Sequence, residues 1–261
     1  NYKGWLNILY GGVVKLEEQQ QIDKANELCD KIIENISILS IEEQEIIASK
    51  KSQLCYKSND IAGAVRWQER AVELADELDR DTFLLALSDL AALYRIGGDS
   101  SKSLECFLHL KLLLEQADLE MYNIYGNTIS EIVGFYETNL SEAESIWRKS
   151  IAHIESKYNR RNATYATLIN GLGVVMLKCD CENEALNWFR KTRKIYEQLD
   201  RSESNEYATI LHNMGRAYML RKQYKQAKTN LEQAKALQIQ LSGSVFERTE
   251  QYLSELETMN K

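Results

Sequence analysis

Few side chains in this 261-residue sequence stand at spacings that support chemistry. Cys179-Asp-Cys181 is the one close cysteine pair, and two thiolates so placed could hold zinc or cycle through a disulfide. Zinc needs two further ligands nearby, and the three histidines, His109, His153 and His212, stand far from one another. The pair therefore reads as part of a turn, with a redox or metal role as the alternative. Gly97-Gly-Asp-Ser-Ser-Lys-Ser has the composition of a phosphate-binding loop but neither its spacing nor a preceding strand, so it reads as an inter-helix turn. No Ser or Cys sits in a nucleophile elbow, and the carboxylates are strewn along helix exteriors, as in Glu73-Leu-Ala-Asp-Glu. The sequence thus predicts no catalytic residues, no metal and no cofactor.

What does recur is structural. Ala25, Ala64, Ser103, Ala143, Ala185 and Ala227 follow one another at intervals of 39, 39, 40, 42 and 42 residues. A fixed period of this size marks an array of stacked supersecondary units, each burying its apolar face against its neighbours. The absence of Pro and a glycine count of only 12 suit a nearly all-helical chain. Candidate turns between units are Ser40–Glu43, Asp79–Thr82, Ala117–Met121, Asn159–Ala163 and Asp200–Asn205, none long enough to divide the chain.

The last two units align without gaps. Tyr165-Ala-Thr-Leu-Ile-Asn-Gly-Leu-Gly precedes Tyr207-Ala-Thr-Ile-Leu-His-Asn-Met-Gly by 42 residues. Apolar residues in the second copy fall three and four apart, the helical spacing. Gly173 and Gly215 lie in mid-helix, where glycine costs about 1 kcal/mol against alanine, which implies a close-packed neighbour. Leu211, Gly215, Tyr218, Ala227, Leu231 and Ala234 together resemble the tetratricopeptide repeat (TPR). The long step is similar to the kinesin-light-chain variety. Repeats three and five carry most of the same positions, repeats one, two and four fewer, and the turn between Tyr136 and Ala143 is shortened.

The resemblance implies an all-α, right-handed superhelix of about six helix pairs. It divides the chain into repeats over 5–39, 43–79, 83–117, 123–157, 164–200 and 206–242, a cap helix over 244–260, and one array over 1–261. It implies non-enzymatic recognition of a protein or peptide by the concave groove that the first helices line. The residues aligned to that groove are Ser88, Asp89 and Arg95; Asn127 and Ser130; Thr167, Asn170 and Val174; and Thr209, His212, Asn213 and Arg216. Asn can donate to and accept from a peptide backbone at once, and Arg can grip a carboxylate with two bonds. The Lys/Asn pattern of chaperone-binding TPRs is absent.

Charge and cysteine usage refine the expectation. Residues 1–156 carry 15 basic and 27 acidic side chains, residues 157–240 carry 15 and 8. The basic rear, with Arg190-Lys-Thr-Arg-Lys194, Lys222, Lys225 and Lys228, favours an acidic ligand if it is more than a solvated face, and nucleic acid is disfavoured. Five scattered cysteines suggest reduced thiols in the cytoplasm. No apolar run is long enough for a membrane span. Asn1 to Tyr10 has neither an initiator Met nor a signal-peptide layout, as expected of a piece of a larger protein or a processed chain. Three alternatives stay open: the sensor or regulatory arm of a larger signalling protein, an intracellular signalling-peptide receptor, and a self-associating homo-oligomeric array.

Overall fold

The computed structural model describes residues 2–120 and 123–259, and among them every regular element is helical. Asn1, Met121, Tyr122, Asn260 and Lys261 lie outside the described residues, and with them the ends of the expected array, the last residue of the expected cap and the Met121 end of the Ala117–Met121 turn. Two compact units divide the chain, residues 1–113 and 114–261. The first holds α1 (Tyr2–Glu18), α2 (Ile22–Ile33), α3 (Ile41–Lys57), α4 (Ile61–Asp76), α5 (Arg80–Ile96) and most of α6 (Ser100–Gln116). The second holds α7 (Asn123–Gly134), α8 (Leu140–Lys157), α9 (Ala163–Lys178), α10 (Glu182–Gln198), α11 (Asn205–Leu220), α12 (Tyr224–Ser242) and α13 (Glu247–Met259).

The periodic small residues have one structural job. Each is the fourth residue of the second helix of a pair, and each amide donates the first helical hydrogen bond, from Ala25 to Gln21 O, Ala64 to Asp60 O, Ser103 to Asp99 O, Ala143 to Asn139 O, Ala185 to Cys181 O and Ala227 to Gln223 O, at 2.9–3.0 Å. All six are 0–1% exposed, so no larger side chain has room. Just before them the chain turns through a left-handed residue at Gln20, Asn59, Gly98, Asp180 and Lys222. The amide three residues beyond the helix then closes each turn, as in Asp60 N to Cys55 O at 2.8 Å and Cys181 N to Met176 O at 2.9 Å. The expected Gly97-Gly98 turn is one of these, and so is Cys179-Asp-Cys181. The α7–α8 connection has no left-handed residue and, against the shortened turn that the sequence predicts, runs over five residues where the other pairs use three; the shortening falls on α7 instead, which ends at Gly134.

Starts of helices follow the polar residues that punctuate the sequence. Ser40 accepts from Glu43 N at 3.2 Å while the Glu43 carboxylate accepts from Ser40 N at 2.9 Å, a reciprocal cap that starts α3. Asp60, Asp79, Asp99, Asn139, Asn162 and Ser204 each accept from the amide three residues on. The polar α3 is thus a full 17-residue helix.

Within each unit, helices pack on their sequence neighbours, and α9 also contacts both α7 and α11. That pattern brings the first helices of successive pairs side by side. Gly173 admits the Phe189 ring and Gly215 admits Leu231, since a Cβ at either would approach those atoms to 2.6 and 2.5 Å. In unit 2 the pairs are also stitched by a recurrent bond: Tyr125, Tyr165 and Tyr207 donate to Glu115, Glu155 and Glu197, each ten residues earlier, at 2.8, 2.8 and 2.9 Å.

Candidate binding site

On the face where α7, α9 and α11 lie together, unit 2 has a cavity of about 340 Å³. Ser130, Asn170, Val174, Thr209 and Asn213 line it, all five being residues that the sequence assigns to a groove. Asn213 Nδ2 donates to Asn170 Oδ1 at 3.3 Å, which fixes both amides. Asn170 Nδ2 and Asn213 Oδ1 have no protein partner among the described residues, so the pair offers both amide N–H donors and an amide acceptor. The Ser130 and Thr209 hydroxyls donate back to Gly126 O and Asn205 O at 3.0 and 2.9 Å, leaving lone pairs that can accept.

The floor is apolar. Trp147 of α8, 4% exposed, packs closely against Gly171, and Val133, Val174 and Val175 complete the wall. A Cβ at residue 171 would collide with the indole, so glycine here is what lets the ring reach the cavity. At the rim Lys178 and Glu137 stand 3.9 Å apart, giving no net charge. Neither Trp147 nor Gly171 was legible as a site residue: a Trp on a second helix reads as core. The signal that could have found them is the extra glycine two residues before Gly173. An adjoining cavity of about 160 Å³ is lined by Thr167 together with Asn170, Thr209 and Tyr196.

Other assigned residues stand elsewhere. His212 is turned to the cap helix, its Nδ1 2.8 Å from Thr249 Oγ1 and its ring 5.5 Å from that of Tyr252. Burial, with the charges of Arg216 and Arg248 beside it, pushes its imidazole down to about 4. Arg216 is half-buried on the same helix, and Asn127 is exposed on α7 outside both cavities. Ser88, Asp89 and Arg95 belong to unit 1, where Asp89 lines a cavity of about 350 Å³.

The basic cluster is largely spent inside unit 2. Arg190 donates to the Tyr218 hydroxyl at 3.2 Å, and Lys191 to that of Tyr165 at 2.6 Å. Arg193 pairs with Glu197 at 3.1 Å and Lys228 with Glu232 at 3.7 Å. All five cysteines are free thiols. Among the described residues no helix is long and apolar enough to cross a membrane.

A stacked all-helical array with these close-packed glycines and small residues defines a repeat scaffold. Residues 164–240 match the family model of the tetratricopeptide repeat, so this stretch of the chain carries tetratricopeptide repeats. No curated protein matches the sequence. Among solved structures, BtubC (BKLC) from P. vanneervenii is similar with a TM-score of 0.60 and 18% identity, over 89% of this chain and 94% of that one. The nearly identical TPR-like repeats of a Podosopora anserina chain described as a kinesin light chain give 0.53 and 19%, over 78% and 97%. The quorum sensor NprR from B. thuringiensis gives 0.63 and 12% without ligand, over 99% and 70%. NprR in complex with its cognate peptide NprX gives 0.58 and 12%, over 99% and 73%. At these identities the likeness is one of fold.

Proposed function

We propose that unit 2 binds an extended peptide, or a peptide segment of a protein partner, without catalysis, across the α7–α9–α11 face. The observation that carries this reading is the Asn170–Asn213 pair set over the Trp147 floor: an amide donor and an amide acceptor side by side in an apolar recess. That combination matches the alternating C=O and N–H of an extended backbone, while the valines and the indole accept one side chain. The fold shared with NprR, which is seen with its cognate peptide, favours a short signalling peptide over a large folded partner. The neutral rim makes backbone recognition the main source of affinity. A preference for acidic peptides would come from Lys194, Lys222 and Lys225, which make no ion pair among the described residues. Five free thiols suit a reducing cytoplasm.

Panning a displayed peptide library against the wild-type chain, and again against the Asn170→Ala/Asn213→Ala chain, tests the reading. Peptides enriched on the first should bind the second at least about tenfold more weakly, the effect of losing 1–2 hydrogen bonds. Equal binding by a variant with an unchanged helical spectrum would overturn it.

A further inference from the structure

Unit 1 has a recess of its own, between α3, α4 and α5, of about 350 Å³. Its chemistry differs from that of the unit 2 cavity. Asp89 stands nine residues before the left-handed turn residue Gly98, and Asn213 stands nine before Lys222, so the two occupy one register of their helices. Where unit 2 presents an amide, unit 1 presents a carboxylate.

This carboxylate has no counter-charge. Among the described residues Asp89 makes no hydrogen bond and no ion pair, and desolvation alone raises its carboxyl above the usual range. The contrast with other carboxylates is direct. Glu17 is held by Lys50 and Lys57 at 3.0 and 2.7 Å, and Glu120 by His153, Lys157 and Tyr158 at 2.7–2.9 Å. Nor does the lining supply a cation. Ser52 donates its hydroxyl hydrogen to Ala64 O and Gln68 one N–H to Ala86 O, at 2.9 and 3.1 Å. The remaining walls are Gln53, Ala92, Leu93, the Tyr56 ring and Ile96, and of these Tyr56 and Ile96 are 47% and 49% exposed, unusually bare for large apolar groups. A carboxylate without a partner, beside an aromatic face and an aliphatic wall, is the arrangement that holds a cation on an apolar stem.

We propose that this recess is a second binding site, which takes the basic side chain of a peptide, its ammonium or guanidinium against Asp89 and its methylene stem against Tyr56 and Ile96. The excess of acidic residues over 1–156 steers such a ligand toward it. The site is separate from the unit 2 cavity, and either can fail without the other.

Nitrogen-15-labelled chain titrated with N-acetyl-arginine N-methylamide, the lysine analogue and the uncharged citrulline analogue tests this by NMR. The two cationic probes should shift amides around residues 53–56 and 89–96, and citrulline should bind at least about tenfold more weakly. Asp89→Asn should abolish the cationic shifts with the rest of the spectrum unchanged, and Tyr56→Ala should weaken them. Equal binding of citrulline, an unaffected Asp89→Asn chain, or shifts confined to unit 2 would each overturn the proposal.

Discussion

Asn213 reaches back 43 residues to place its amide 3.3 Å from that of Asn170, joining α11 to α9 in the lining of one cavity. Neither amide has another protein partner among the described residues, although both are half-buried or buried. Polar groups so placed ordinarily find partners, and the exposed half of this pair faces the cavity.

Glycine packing gives a sharp contrast. Gly171→Ala would drive a Cβ into the Trp147 indole and should destabilise the chain by about 1–3 kcal/mol despite the better helix propensity of alanine. Gly11→Ala meets nothing within 4 Å and should stabilise α1 by about 0.5–1 kcal/mol. Chemical denaturation of both variants checks the pair of signs.

The His212 contact sets a pH dependence. Its imidazole titrates near 4 in the folded chain against an ordinary value of 6.5, so between these values the unfolded chain binds more protons. Stability is intact above about pH 6.5 and is lost as pH falls toward 4. Amide exchange in α13 should accelerate over that window, because Thr249 and Tyr252 face the histidine. The other charges there are Arg216 on α11, Arg248 on α13 and the Lys235–Glu250 pair. His212→Gln should flatten the exchange profile; an unchanged profile would contradict the assignment.

Tyrosine hydroxyls in unit 2 differ in weight. Tyr165 is 0% exposed, donates to Glu155 and accepts from Lys191, so Tyr165→Phe should cost about 1–3 kcal/mol. Tyr207 makes only the exposed bond to Glu197, and Tyr207→Phe should cost less than about 1 kcal/mol. Melting temperatures of the two variants decide this.

Asp89→Asn should raise thermal stability at pH 7. Desolvation lifts the folded carboxyl above its unfolded value, so the charge opposes folding once pH exceeds the unfolded value. The advantage should vanish in acid, where Asp89 is protonated in both states. A variant less stable than wild type at pH 7 would mean that the carboxylate has a stabilising partner.

Repeat structure was legible because it is local. The six small residues mark the fourth position of second helices, and the cap residues Ser40, Asp79, Asn162 and Ser204 announce helix starts by side-chain chemistry alone. Long-range choices were not legible. His212 was aligned to the groove, yet its partner Thr249 lies 37 residues downstream, in a cap helix with no counterpart earlier in the array. Arg190 and Lys191 read as a solvated basic face, and only the fold brings Tyr218 and Tyr165 to them. Ile8 is 76% exposed, while Ile47, Leu168 and Ile210, each twelve residues before a left-handed turn residue like Ile8 itself, are at most 2% exposed. The sequence marks all four as apolar and says nothing of which are covered.

A double-mutant cycle tests backbone recognition most directly, with Asn213→Ala on the chain and N-methylation of each amide in turn on a peptide selected against it. A side chain that accepts from one peptide N–H predicts a coupling of about 1 kcal/mol at a single position, with the other positions additive. Additivity at every position would contradict the proposed site.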